Sequence, residues 1–360
     1  MKIKCLKWPH FEKYRRKKRM ATKTVIVTGA NGEIGRGIVA ELSKAASSKT
    51  EDAEILALDL AFTDASSSVA TGNVKKVKAD ILDARELNEL TKDRSITAIF
   101  HLAALLSSSG ERDPERAHRV NVEGSLNLLQ LARNQTETSK TPVKFIFPST
   151  IAIYGRPAET PALNVTEDQF LLPITMYGVN KLYVEQLGRY FKHHYRLLDG
   201  ERPRVDFRCV RLPGVLCADT VPSGGTSDYG PEMVHAAAQG KSYSCFVPPT
   251  AQLPFMVKPD AVAAIVGISR AASLPTNNPV YNVTSFAPTA REIELEIRKY
   301  YPKFEVSYEP HPGRTAIVAS WPQSLDDSRA RADWGWKPQY DFASAFKDYL
   351  VPGISKRYNS

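Results

Sequence analysis

An α/β chain is what this sequence predicts: a parallel sheet wound on both faces by helices, followed by a small C-terminal lobe. Three observations carry that expectation. Short runs rich in β-branched residues alternate with longer amphipathic ones from residue 24 to residue 212, and alternation of this kind builds a parallel sheet. A glycine-rich turn, Gly29-Ala30-Asn31-Gly32-Glu33-Ile34-Gly35, separates the first strand from the first helix. The second strand ends in an acid, Asp59. Together they describe a doubly wound Rossmann sheet that holds a dinucleotide at the C-terminal ends of its strands.

Each element follows in order. Residues 24–28, Thr-Val-Ile-Val-Thr, read as a buried strand, and a helix runs from the glycine turn to about Ser47. In the turn, Gly29 allows the sharp bend, Gly32 admits a pyrophosphate to the backbone, and Gly35 lets helix pack on strand. The diphosphate would meet the free N–H groups and positive dipole of the helix start. Residues 54–59 form the second strand; Asp59 stands 24 residues past Gly35, near the ~20-residue offset of a ribose-binding carboxylate. Asp59 and Glu33 would both repel a 2′-phosphate, at ~4 kcal/mol for charges ~4 Å apart in a dielectric of ~20, which favours NAD over NADP. Residues 74–79 are the third strand, and Asp80-Ile81 could hold the adenine by a polar contact and an apolar wall.

Residues 97–102 form the fourth strand, and the small run Leu102, Ala103, Ala104 that closes it suits close passage of a cofactor. His101 reads as a satisfied core histidine. Asn121, on the next helix, is either a polar relay or a helix-bending residue. Residues 144–148 are the fifth strand, capped by Ser149 and Thr150, either of which could face the reaction centre. A helix over 174–197 carries Tyr177 and Lys181. Residues four apart share a helix face, so the ammonium can stabilise a phenolate, lower the Tyr pKa from ~10 and give a general base. Residues 205–212 are the sixth strand, ending at Leu212-Pro213. Regular alternation is then lost until Tyr281, which predicts a cap over the strand ends. The expected division is 1–21 as a basic extension, 22–215 as the dinucleotide domain with later segments returning to it, and 216–350 as mainly the substrate lobe.

Charge and cysteine usage narrow the function. The chain carries +9 over 360 residues, but residues 1–20 hold nine Lys or Arg against the single acid Glu12. The remainder is nearly neutral, which argues against a nucleic-acid enzyme. The head could be a targeting presequence, a leader before Met20, or a nucleic-acid arm. Its composition gives a mitochondrial expectation, with the cytoplasm as alternative. No apolar run approaches the ~20 residues of a membrane span. Cys5, Cys209, Cys217 and Cys245 have no metal-ligand or disulfide spacing.

With strand, glycine turn, Asp59, strand-5 hydroxyls and Tyr-x-x-x-Lys all in sequence, the chain resembles the extended short-chain dehydrogenases/reductases over about residues 22–350. A narrower match lies in Leu212-Pro213-Gly214-Val215, Gly224-Gly225-Thr226-Ser227-Asp228-Tyr229, Leu253-Pro254-Phe255-Met256, Tyr281-Asn282-Val283-Thr284-Ser285-Phe286 and Ser320-Trp321-Pro322. These look like the L-threonine 3-dehydrogenases of the short-chain type. The resemblance implies NAD bound by Gly29, Gly32, Glu33, Ile34, Gly35, Asp59, Asp80, Ile81, Leu102, Ala103, Ala104, Asn121, Leu212 and Pro213, together with Tyr177 and Lys181. It implies Thr150, Tyr177 and Lys181 as catalytic residues, and L-threonine held by Ser107, Thr150, Tyr177, Gly225, Thr226 and Trp321. It also implies a homodimer built through the helices of Asn121 and Tyr177. A nucleotide-sugar epimerase or dehydratase on the same scaffold, and a non-catalytic dinucleotide-binding protein, are the competing readings.

Overall fold

Seven strands, β-branched and aromatic in their central members, lie side by side in one sheet. The computed structural model describes residues 22–47, 53–62, 72–157, 160, 163–199, 204–222, 224–275 and 278–358; the basic stretch 1–21 lies outside them. The strands are β1 (Thr22–Thr28), β2 (Glu54–Asp59), β3 (Val74–Lys78), β4 (Arg94–His101), β5 (Lys144–Thr150), β6 (Asp206–Leu212), β7 (Gly214–Leu216), β8 (Tyr243–Cys245), β9 (Phe255–Val257), β10 (Val280–Asn282) and β11 (Val306–Tyr308). The main sheet runs β10-β6-β5-β4-β1-β2-β3, and all its pairings are parallel. Its order reverses between β1 and β4, and the crevice outside that switch point is where an open parallel sheet takes a ligand. At one edge, β3 reads Val-Lys-Lys-Val-Lys, and its charges discourage edge-to-edge pairing.

Helices cover both faces. On one side α1 (Glu33–Ser47) contributes Ile38, Val39 and Leu42 to a core shared with β1, β2 and the later helix 258–270. The other side is covered by α2 (Ala84–Thr91), α5 (Gly124–Ser139) and α6 (Met176–His193), with the short α3 (Ser107–Arg112) and α4 (Pro114–His118) between them. Leu87, Leu128, Leu129, Val184 and Phe191 pack there against Phe145, Phe147 and Phe207 of the sheet. Thr175 begins α6 by accepting the Gly178 N–H at 3.1 Å, the usual N-cap bond.

The second half departs from expectation. Where the sequence shows little alternation, the chain forms α7 (Tyr229–Ala238) and α8 (Lys258–Arg270) and pairs β7 with β9 and β8 with β11. Pro259 lies in the first turn of α8, where its missing N–H costs nothing, so it marks a helix start and not a loop. With β10, α8 returns to the main sheet, while α7 and the strand pairs build a separate core around Tyr229, Met233, Phe255 and Ile293.

One buried polar network joins these parts. Arg211 at the end of β6 donates from Nε and Nη2 to both oxygens of Glu185 on α6, at 3.0 and 2.7 Å. Neither side chain is accessible to solvent. Arg211 Nη1 donates to the Tyr154 hydroxyl at 2.9 Å and to the Glu167 carbonyl at 2.6 Å. Tyr154 in turn donates to Asn282 Oδ1 of β10 at 2.7 Å. Removing one partner of such a pair strands a buried charge, at about 3–5 kcal/mol. Glu185→Ala is therefore expected to lose about that much in urea unfolding, whereas Glu185→Leu with Arg211→Met should recover most of it. A loss below ~1 kcal/mol, the level of an exposed pair, would contradict the assignment.

Candidate active site

A cleft of about 1220 Å³ opens at the C-terminal ends of β1, β2, β4, β5 and β6. Gly29 ends β1 with φ +65, and a Cβ there would lie 2.7 Å from the Ala103 backbone nitrogen. Only glycine lets the turn lie against the end of β4 in that conformation. Asp59 accepts the Asn31 N–H at 2.9 Å, so the acid of β2 also braces the glycine turn. The Asp80 carboxylate accepts the Leu82 N–H at 2.9 Å. Gly29, Gly32, Glu33, Ile34, Gly35, Asp59, Asp80 and Ile81 line one arm of the cleft, while Leu102, Ala103, Ala104, Leu212 and Pro213 line its middle. This cradle of glycines, an acid and small residues fits a nicotinamide dinucleotide.

The other end collects the chemistry. Thr150, Tyr177 and Lys181 all line the cleft. What brings α6 so close to β5 is Gly178: a Cβ there would lie 2.0 Å from the Ala152 carbonyl oxygen. Thr150 lies next to the Tyr177 phenol, and its Oγ1 accepts the Ala152 N–H at 3.2 Å. Burial pushes that phenol up to about 12, and the Thr150 hydroxyl works against the rise. Lys181 is buried; its Nζ donates to the Pro148 carbonyl at 2.8 Å and lies 4.3 Å above the Phe147 ring. Burial pulls its pKa down to about 8, opposed by Cys209 and Glu185. The expectation of a phenol lowered by Lys181 thus meets a stronger opposing effect in the protein alone, where desolvation dominates.

Ser107, Gly225, Thr226 and Trp321 complete this end of the cleft. Thr226 is buried, and Asp228 accepts the Gly225 N–H at 2.6 Å. Trp321 is buried with its Nε1–H unpartnered. The Gly224 carbonyl is gripped from two directions, by Ser108 Oγ at 3.0 Å and Arg314 Nη2 at 2.9 Å. Asn121 does not line the cleft. Its buried side chain accepts the Leu105 N–H at 2.8 Å and donates to the Leu105 carbonyl at 3.0 Å, from a π-helical turn over Arg119–Glu123. It is both a positioning residue for the strand-4 loop and part of an irregular helix. Ser149 is buried without a hydroxyl partner, and of the two strand-5 hydroxyls Thr150 is the one that bears on the Tyr177 phenol.

Several lining residues escaped the sequence reading: Thr220 and Cys217 after β7, Ser108, and exposed Arg112, Arg116 and Arg119. The arginines recur at helical spacing, a signal that was available; the others are assembled only by long-range closure. Among the described residues no group of three His, Cys, Asp or Glu could hold a metal ion, and no helix is long and apolar enough to cross a membrane.

A switch-point cleft with Thr150, Tyr177 and Lys181 at one end defines a dinucleotide-dependent oxidoreductase of the extended short-chain type. The comparisons agree: residues 25–284 match the NAD dependent epimerase/dehydratase family, and the chain belongs to that family. It is 36% identical over 266 residues, 74% of this chain and 67% of the relative, to the mitochondrial L-threonine 3-dehydrogenase of Bos taurus. The L-threonine dehydrogenase structure of Clostridium difficile is 30% identical with a TM-score of 0.80, covering 93% of this chain and 98% of that one. A monomeric L-threonine 3-dehydrogenase from a metagenome is 32% identical with a TM-score of 0.77, covering 93% of this chain and 100% of that one.

His101 is the core histidine the sequence suggested. Ser125 Oγ–H donates to the Asn121 carbonyl at 2.5 Å, so Ser125 accepts His101 Nε2–H at 2.8 Å. Nδ1 is then the acceptor for Thr28 Oγ1–H at 2.8 Å, and Thr28 accepts the Ala103 N–H at 3.3 Å. Burial, with Lys181 adding to it, lowers the His101 pKa to about 3. The unfolded chain binds this proton near ~6.5, so the stabilisation is complete above that pH and is lost as pH falls from it towards the folded value. From this one group the loss approaches about 1.4 kcal/mol per pH unit. Urea midpoints between pH 7 and 5 should therefore fall more steeply for the unmodified protein than for His101→Gln; identical slopes would refute the buried neutral ring.

Proposed function

We propose that the protein oxidises the β-hydroxyl of L-threonine with NAD, giving 2-amino-3-oxobutyrate and NADH. The observation that carries this reading is the Thr150–Tyr177–Lys181 array beside a small chamber walled by Ser107, Thr226 and Trp321. The names of the relatives support threonine as the substrate. Tyr177 takes the proton of the substrate hydroxyl, and the neighbouring Thr150 hydroxyl hydrogen-bonds the same oxygen and orients it. Lys181 holds positive charge beside the base and contacts the nicotinamide ribose. NAD, when bound, accepts the hydride from Cβ and brings a positive ring that favours the phenolate which burial alone disfavours. Asp59 holds the adenosine ribose, and its charge excludes a 2′-phosphate.

NADH absorbance on adding L-threonine tests the reading, with UDP-sugars as controls. Tyr177→Phe keeps the ring but removes the base, so kcat should fall ~10²–10⁴-fold while the NAD Kd stays near normal. Near-normal turnover in that variant would refute the mechanism. In the same assay NAD should outperform NADP, and Asp59→Ala should narrow the gap; equal kcat/KM for the two in the unmodified protein would contradict the charge argument.

A homodimer is part of the reading. Val179, Tyr183 and Tyr190 stand exposed along the outer face of α6, an apolar stripe that a second copy would cover. Light scattering should return twice the chain mass, and Tyr183→Glu with Tyr190→Glu should return one. A monomer in the unmodified protein would place it with the monomeric relative instead. The basic residues 1–20 keep mitochondrial import as a proposal, in line with the bovine relative's name; a reporter fused to residues 1–22 that stayed in the cytoplasm would overturn it.

A further inference from the structure

Glu33 opens α1 in the turn that receives the diphosphate, yet its side chain reaches to the opposite wall of the cleft. Its Oε2 accepts Thr220 Oγ1–H at 3.0 Å, and its charge, after burial, helps push the nearby Cys217 thiol up. Both partners lie in the segment after β7 and line the same cleft as Val221 and Pro222. Behind them the segment is anchored away from the cleft. Asp219 takes Lys258 Nζ at 2.6 Å, the Arg357 guanidinium donates to its carbonyl, and the Ala218 N–H donates to the Tyr349 hydroxyl at 3.2 Å. Thr220 is thus where a fixed strap crosses to the dinucleotide wall. A carboxylate at a helix N-terminus would compete with a diphosphate for the free N–H groups. Turned towards Thr220 and Cys217, it leaves them open.

We propose that Glu33 is a positioning residue whose bond to Thr220 latches residues 217–222 across the diphosphate end of the cleft, so that dinucleotide release requires this bond to open. The proposal rests on the dinucleotide reading of the cleft. It gives Glu33 a role that repulsion of a 2′-phosphate does not. A hydrogen bond to a charged acceptor is strong enough to set a rate.

The test is stopped-flow release of NADH, followed by fluorescence on the full chain. Glu33→Ala and Thr220→Val should each speed release about 10-fold. The double variant should be no faster than the faster single, because both remove one interaction. Glu33→Gln keeps an acceptor for Thr220 and should restore slow release. Ser108→Ala, which loosens only the Gly224 grip, should release NADH at the unmodified rate. Unchanged rates in both single variants would overturn the latch. So would acceleration by Glu33→Ala without Thr220→Val, which would mean direct contact with the cofactor, or equal acceleration by Ser108→Ala, which would mean general loosening. Failure of the unmodified protein to bind NADH would instead remove the cofactor reading beneath it.

Discussion

The bidentate bond between Arg211 and Glu185 is the constraint on which the site depends. Glu185 lies one helical turn beyond Lys181, and Lys181 one turn beyond Tyr177, so fixing Glu185 fixes the rotation and depth of α6. Arg211 is the penultimate residue of β6, paired with Ser149 in the strand whose last residue is Thr150. Its remaining donor grips Tyr154, just past the turn against which Gly178 packs. The hydroxyl, phenol and ammonium are therefore aligned by one buried ion pair and one close backbone contact. An apolar replacement could be as stable, but it would not specify the rotation of α6 with the same directional bonds.

That alignment has an electrostatic consequence. Lys181 is buried against one carbonyl and the faces of the Phe147 and Tyr177 rings, and a cation–π contact is strongest when desolvated. Tyr177 suffers the converse, since burial favours its neutral form. The protein alone thus holds a protonated phenol beside a lysine of lowered pKa. On the function proposed above, a positive charge entering the cleft would shift the balance towards phenolate and tie activation of the base to occupancy of the dinucleotide arm. The cap adds a second level of order. Its segment after β7 is held to Glu33 beside the glycine turn, and Gly224 is held by Ser108 and Arg314 at the other end. Both ends of the cleft are thereby bridged by side chains from opposite walls.

Much of this was legible in the residues. The glycine turn, the acid ending β2 and the Tyr-x-x-x-Lys spacing are local patterns whose geometry follows from backbone sterics and helical period. Each proved to line the cleft as those rules require. The reading faltered where local signals mislead. The stretch before Tyr281 looked irregular and instead holds α7 and α8, with Pro259 in the first turn of α8. Asn121, readable from sequence as either a polar relay or a helix-bending residue, fastens both backbone groups of Leu105 from within a π-helical turn.

By itself, then, the sequence determined the glycine turn after the first strand, the acid that ends the second and the one-faced pairing of Tyr177 with Lys181, because these depend on contacts a few residues apart. Only the tertiary structure decided that Thr150 and not Ser149 bears on the phenol, that burial holds that phenol protonated, and that Glu33 turns to Thr220. Those depend on residues from 27 to 187 positions apart meeting in a water-poor space, where desolvation outweighs the charges that spacing reveals.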